Sequence, residues 1–321
     1  MHRFRTPRIP PTVVAAVLCL IPTPPGFAAQ PAARDWTAHP AVVEMDAPAD
    51  LYAVGDAHGD YDRLAALLTA AGLISAAPDS PTDVHWKAGK AIVVCTGDLI
   101  DKGPASVKVV QLFRALQKAA EADGGRVVVT MGNHEADFLN DPTSEKTADF
   151  AADLRAQNLK PEDVAAGTDA LGLGKWLREL PMAARVGDWF FAHAGDTRGR
   201  TLTQLRSDLQ EWVDAHGFLI GEDADTPLWT LLNARLHPYP WWQKSATEDA
   251  AAGPARLAEW AKALGVRHFV LGHQPGKVKF SDGSQRAQGT VCAKFDGLLF
   301  LIDVGMSRQV DYSKGAVLHI A

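Results

Sequence analysis

Six short apolar runs in this chain end alike, each passing directly into a cluster that contains Gly together with Asp, Asn or His. They are "LYAVGDAHGD", "AIVVCTGDLIDKG", "RVVVTMGNHE", "WFFAHAGD", "HFVLGHQP" and "LLFLIDVGMS". Runs of branched and aromatic residues stopped by such clusters predict strands buried on both faces. Between the early runs lie the helical patterns "YDRLAALLTAAGLI" and "PASVKVVQLFRALQKAAEADGG", the second with Pro104 as its start signal and Gly124 and Gly125 as stops. The alternation predicts an α/β sheet covered by helices. Chemistry in such sheets gathers at the carboxyl ends of the strands, where the polar clusters fall.

From about 136 to 185 and again from 197 to 262 the strand pattern lapses into Ala, Leu, charged residues and Trp. These stretches read as helical insertions that form a cap beside the sheet, and not as a separately folding domain. With 47% hydrophobic residues in 321, the chain can bury a substantial core. Residues 50–321 form the expected domain.

Arg3, Arg5 and Arg8 precede the apolar run "TVVAAVLCLI" and then "PTPPGFAAQPAA", an order expected of a secretory signal at 1–29 followed by a linker at 30–49. An apolar run of about ten residues is too short to span a bilayer, which needs roughly 20, so no stable membrane insertion is expected after cleavage. The expected location is periplasmic or secreted. Removing those three Arg takes the net charge from -6 to -9, which argues against a general nucleic-acid binder. Cys95 and Cys292 would remain, too few for a disulfide framework, and are expected to be unpaired thiols.

The polar clusters offer, in order, Asp56 and His58, Asp98, Asn133, His193 and His273. Asp, Asn and His are oxygen and nitrogen donors suited to divalent first-row metals, and a pair of ions needs several of them plus one bridging group. Gly55, Gly97, Gly132 and Gly272 are expected to let the backbone turn off each strand. A single "GD" is an ordinary turn and a single buried His an ordinary core residue; six ordered endings are explained by neither.

The order "GDAHGD", "GDLIDKG", "GNHE", "FAHAG" and "LGHQP" resembles the calcineurin-like metallophosphoesterases. "GNHE", with the Asp after "GDLI", resembles their phosphoprotein phosphatase branch, and "DVGMS" with "LRELPMAARVGDWFFAHAG" resembles the Shewanella-like protein phosphatases within it. The resemblance runs from about 50 to 307. It implies an α/β sandwich of two mixed β-sheets flanked by helices and two metal ions, with manganese, iron and zinc all compatible. By the same resemblance Asp56, His58 and Asp98 hold one ion, and Asp98 bridges to a second held by Asn133, His193 and His273. A hydroxide between the ions attacks phosphorus in line, His134 protonates the leaving oxygen, and Asp101 orients that imidazole. In an extended segment His134 would point away from Asn133, which suits it to a role beside the ions and not as a ligand. Glu135 either supports a metal ligand or simply begins the helix that follows. Asp60 and Asp303 are candidates for supporting the ligands from behind.

The chain departs from the family in three places. Lys102 stands where the family has Arg, and is expected to bind substrate phosphate as a compact point charge in place of a planar fork. Arg235 is the expected second phosphate contact, at a shifted spacing, with Arg198 and Arg200 as rivals. Asp196 in "HAGD" is expected to cap a helix, the alternative being an acid near the metals that favours a basic or hydroxyl-bearing substrate. Trp229, Trp241, Trp242 and Trp260 are expected to pack the insertions, and His39, His85, His216, His237, His268 and His319 to be surface or packing residues. The implied activity is phosphomonoester hydrolysis on phosphoproteins, phosphopeptides and aryl phosphates. The alternatives are a dinucleoside polyphosphate or other nucleotide hydrolase, and a catalytically silent scaffold of the same fold.

Overall fold

The computed structural model describes residues 34–321 apart from 222 and 223, so the expected signal at 1–29 lies outside the described residues. In chain order the strands are β1 (Val42–Met45), β2 (Leu51–Val54), β3 (Ile92–Cys95), β4 (Arg126–Val129), β5 (Ala183–Val186), β6 (Trp189–Ala192), β7 (His268–Leu271), β8 (Val278–Lys279), β9 (Gln285–Arg286), β10 (Cys292–Lys294), β11 (Leu299–Leu301) and β12 (Val317–Ile320). The helices are α1 (Tyr61–Ala70), α2 (Ser106–Ala122), α3 (Asn133–Asn140), α4 (Ala148–Ala156), α5 (Pro161–Ala166), α6 (Leu173–Arg178), α7 (Leu202–His216), α8 (Pro227–Leu232) and α9 (Ala252–Leu264).

The strands form a six-stranded sheet in the order β1-β5-β6-β7-β11-β10, a four-stranded sheet in the order β12-β2-β3-β4, and a small β8-β9 ribbon. Both large sheets are mixed: β2, β3 and β4 run parallel while β12 is antiparallel to β2, and β6, β7 and β11 run parallel while β5 and β10 are antiparallel to their neighbours β6 and β11. Side chains alternate across a strand. Leu51, Ala53, Ile92, Val94 and Val128 therefore face Ala184, Val186, Phe191, Val270 and Ile302 in one apolar layer between the sheets. The intervening Val54, Val93, Cys95, Val127 and Val129 face the helices. A fully buried Val, Leu, Ile or Phe of this kind contributes about 1.5–3 kcal/mol. The sandwich of two mixed sheets flanked by helices is the one expected.

Three expectations need correction. The stretch 30–49 is not a linker throughout, because β1 pairs in parallel with β5 from Val42↔Ala183 to Met45↔Val186. Arg34 also donates to the carbonyls of Arg178 (2.9 Å) and Leu180 (3.0 Å). The strand is four residues long, too short for a period to show. The first insertion does hold α3 to α6, yet Phe138, Phe150, Leu154, Leu173 and Leu177 are buried in the same core as α2, and the stretch ends inside β5. Finally, Asn133 and His134 are not extended. They open α3, so successive side chains diverge by about 100° around the axis.

Candidate metal centre

The six endings converge. The loop after β2 brings Asp56 and His58, the loop after β3 brings Asp98, Asp101 and Lys102, and the first turn of α3 after β4 brings Asn133 and His134. His193 follows β6, His273 follows β7 and Asp303 follows β11. Asp98 Oδ2 lies 3.5 Å from His58 Nε2 and 3.2 Å from His193 Nε2. His193 Nε2 is also 3.1 Å from Asn133 Oδ1 and 3.0 Å from His273 Nδ1, while Asp56 lies 4.0 Å from His58 Nε2.

Tautomers follow from the other ring nitrogens. His58 Nδ1 faces the Ile100 carbonyl at 3.0 Å, and His193 Nδ1 faces the Thr96 carbonyl at 2.8 Å. Each Nδ1 must therefore donate, which leaves a bare lone pair on Nε2 aimed into the cluster. His273 Nε2 is buried with no partner. Burial pushes the His58 imidazole down to about 3, and burial with His193 beside it pushes His273 well below the usual range. Burial, then Asp303 and Asp98, pushes the Asp56 carboxyl well up. Lone pairs facing lone pairs among buried acids are what a divalent cation would relieve, so the donor set fits metal. Among the described residues two groups of donor atoms are close enough to hold an ion, Asp98 with His193 and His273, and Asp98 with His58 and His134; Asp98 is common to both. Ions bound there would neutralise charge on a phosphoryl group and activate solvent as a nucleophile.

The glycines act differently from the expectation. Gly97 does turn through a left-handed φ of 94°, but Gly55, Gly132 and Gly272 do not. They are places of close approach: a Cβ on Gly272 would sit 2.5 Å from Asp56 Oδ1, and one on Gly132 would collide with Asp98 Oδ1. The left-handed turns fall instead on the functional candidates, His58 (44°), Asp98 (51°), Asp101 (62°), Lys102 (51°) and His273 (68°). Such conformations cost about 1–3 kcal/mol each and persist only where surrounding structure enforces them.

Glu135 supplies much of that enforcement. It is wholly buried, and its carboxylate accepts from the backbone N–H groups of Asp98 (2.9 Å), Leu99 (2.8 Å), Ile100 (3.3 Å) and Gly132 (2.8 Å). It therefore supports a ligand and also opens the helix, clamping the loop that carries Asp98 to the start of α3. Arg286 does the matching work on the other sheet, and nothing in the sequence pointed to it. Only 2% exposed, its guanidinium donates to the carbonyls of Gln274, Asp303 and Thr290.

His134 Nδ1 lies 3.1 Å from Asp101 Oδ2, and the other Asp101 oxygen accepts from the Phe150 N–H at 2.9 Å. Burial alone would lower the His134 imidazole, but Asp98 and the Asp101 hydrogen bond together raise it. Lys102 Nζ sits 3.2 Å from His58 Nε2. Asp101, Lys102, Asn133 and His134 line a cleft of about 370 Å³ together with Glu145, Lys146, Ala148, Asp149, Asn233 and Arg235, so Lys102 and Arg235 do share one opening.

The remaining candidates separate. Asp303 is buried, with Oδ1 on the Gly305 N–H and Oδ2 unpartnered, and its charge acts on Asp56. Asp60 is instead the N-cap of α1, accepting from Arg63 N–H, and it pairs with Arg308 at 2.9 Å. Asp196 caps no helix, since the N-cap of α7 is Thr201. It accepts from the Arg198 N–H (3.0 Å) and guanidinium (2.8 Å), and burial still pushes its carboxyl up to about 6. Arg198 and Arg200 are consumed in pairs with Asp196 and Asp208. Trp242 is buried, and Trp241 stacks on Trp260 while donating to the carbonyl of Ala194, next to His193. His268 stacks on Trp189 and His319 on Tyr52. Cys95 and Cys292 are free thiols.

The Shewanella-like protein phosphatase 2 of Arabidopsis thaliana is 33% identical over 91 residues, 28% of this chain and 22% of that protein. A symmetrical bis(5'-nucleosyl)-tetraphosphatase of Dechloromonas aromatica is 28% identical over 144 residues, 45% of this chain and 43% of that protein. Each match thus spans less than half of the relative's own length. The crystal structure of the cold-active protein-tyrosine phosphatase of a psychrophilic Shewanella species superposes with a TM-score of 0.61 at 23% identity, covering 86% of this chain and 76% of that one, a likeness of fold. Residues 50–277, most of the chain and nearly all of its site candidates, match the calcineurin-like phosphoesterases, and the chain belongs to that family of metal-using phosphoester hydrolases.

Proposed function

We propose that this chain is a dinuclear metal-dependent phosphomonoesterase acting on phosphoproteins, phosphopeptides and aryl phosphates. The observation that carries the reading is the His134–Asp101 pair, 3.1 Å apart, in a cleft that Lys102 and Arg235 also line. With Nδ1 turned to Asp101, His134 presents Nε2 to the cleft and holds there the proton that a leaving oxygen needs. Lys102 and Arg235 bind the non-bridging oxygens of the phosphoryl group. Asp56, His58, Asp98, Asn133, His193 and His273 hold the ions, for which manganese, iron and zinc all suit the donors. Export is part of the proposal and rests on the basic, apolar and small-residue order of residues 1–29.

A second reading, hydrolysis of dinucleoside polyphosphates, is favoured by the similarity to the tetraphosphatase across 45% of the chain. Glu135 counts against it, because that branch typically carries Asp there. A scaffold without activity is disfavoured by the presence of every donor and of the His134–Asp101 pair. The test is a hydrolysis screen of phosphotyrosine, phosphoserine and phosphothreonine peptides, aryl phosphates and dinucleoside polyphosphates with each metal. The highest specificity constant should belong to a phosphomonoester; a higher one for the dinucleotide would overturn the proposal, and no hydrolysis with any metal would restore the scaffold.

A further inference from the structure

The cleft beside the candidate metal centre is lined by side chains of both charge signs. Lys102 and Arg235 are cationic and adjoin Asn133 and His134. The same lining includes Glu145, on the 3-10 turn Glu145–Thr147, and Asp149, in the first turn of α4. Both carboxylates are exposed, and neither is paired with a cation among the described residues. The other acids nearby are already engaged: Asp101 holds His134 and the Phe150 N–H, and Asp137 lies 3.7 Å from the ammonium of Lys146. The one cation on the same turn is thus already balanced by another carboxylate.

The position of these two charges matters because His134 marks the leaving-group side. Whatever is attached to the departing oxygen must lie near His134, in the cleft that Glu145 and Asp149 also line. At about 370 Å³ the cleft suits one phosphorylated side chain with part of its neighbours. Resting on the phosphomonoesterase reading, we propose that Glu145 and Asp149 determine specificity by charge. They favour a phosphorylated residue flanked by Lys or Arg, and disfavour a leaving group with negative charge of its own, whether a nucleoside polyphosphate or an acid-flanked phosphopeptide. Like charges brought together at a binding surface discriminate between partners more than they set affinity for the right one. Acids in a first helical turn also stabilise the helix through its dipole, and that role alone would leave substrate preference untouched.

The experiment compares two phosphopeptides that differ only in Lys or Glu at the residues flanking the phosphorylated position, with a small aryl phosphate, whose aryl group carries no charge, as the reference. The metal-loaded full chain should prefer the Lys-flanked peptide by about three- to tenfold in kcat/KM at low salt, the size expected of exposed charge pairs. Raising the salt should shrink that ratio. Glu145→Gln with Asp149→Asn should bring the ratio close to one, and Glu145→Lys should invert it, while the aryl phosphate stays within about twofold throughout. A wild-type ratio near one, or a ratio that survives the double substitution, overturns the proposal. So does a double variant that melts at a lower temperature with its preference intact, since that is the helix-stabilising role alone. If no phosphomonoester is hydrolysed with any metal, the underlying activity has failed and this proposal falls with it; peptide hydrolysis indifferent to flanking charge sinks the specificity proposal only.

Discussion

The two sheets meet at the candidate metal centre with loops held by charges of opposite sign. The four-stranded sheet delivers Asp56, His58, Asp98 and Asn133, and the loop after β3 is held by the buried Glu135 carboxylate accepting backbone N–H groups. The six-stranded sheet delivers His193, His273 and Asp303, and the loops of His273 and Asp303 are held by the buried Arg286 guanidinium donating to backbone carbonyls. A tight turn off a strand leaves unpaired N–H groups in one conformation and unpaired C=O groups in another. Each must be satisfied once buried, at about 1–3 kcal/mol per group if it is not. A single charged side chain can satisfy several at once, and hydrogen bonds are what make its burial tolerable. The halves are then stitched together across the sandwich, His193 to the Thr96 carbonyl (2.8 Å) and the His273 N–H to Asp56 (3.1 Å).

The most severe way to break this arrangement is at the residue both halves share. Asp98→Asn removes the carboxylate charge between His58 and His193 while keeping its shape. Turnover should fall on the order of 1,000-fold or more, as expected if several kcal/mol of charge stabilisation disappear. Bound metal measured by mass spectrometry should drop below the wild-type stoichiometry, with the circular dichroism spectrum unchanged. Full activity in this variant would end the shared-ligand reading.

The comparison of clamps sharpens with Glu135→Asp and Arg286→Lys, each one step shorter or less forked than the original. Each should weaken metal binding by about 10–100-fold, the usual consequence of disturbing groups that orient ligands. The losses should separate: Glu135→Asp loosens the Asp98 loop, and Arg286→Lys the loops of His273 and Asp303. Titration with manganese should therefore show two binding steps of which each variant weakens a different one first. Equal weakening of both steps in both variants would mean that the halves do not act separately.

The six strands that end in polar clusters, with the six donor candidates those clusters carry, were legible because each depends on neighbours in sequence: an apolar run, a stop and a polar residue within a few positions. What stayed hidden depends on contacts between distant segments. Arg286 reaches three loops from a two-residue strand that no periodicity marks. Glu135 could be placed at a helix start from "GNHE", but its four N–H partners lie mostly in the loop after β3. Asp60 resembled a ligand support and Asp196 a helix cap by position alone, and they turned out to pair with Arg308 and Arg198. Nor could the glycines reveal whether they give freedom or space, because that depends on Asp56 and Asp98 standing against them.

The smallest expected effect concerns Lys102, where the chain departs from its relatives. Lys102 Nζ stands 3.2 Å from His58 Nε2 and lines the cleft, close enough to meet a phosphoryl oxygen, whereas Arg198 and Arg200 are tied to Asp196 and Asp208. A charge-assisted hydrogen bond is worth about 1.5–3 kcal/mol, and solvent reaching this cleft keeps the effect near the lower end. Lys102→Ala should therefore raise KM for an aryl phosphate about tenfold with a smaller change in kcat, while Arg198→Ala and Arg200→Ala stay within about twofold. Lys102→Arg should recover the loss, because a fork serves where a point charge does. An unchanged KM in Lys102→Ala would return this residue to the status of a loop lysine and leave Arg235 as the cation that receives the phosphate.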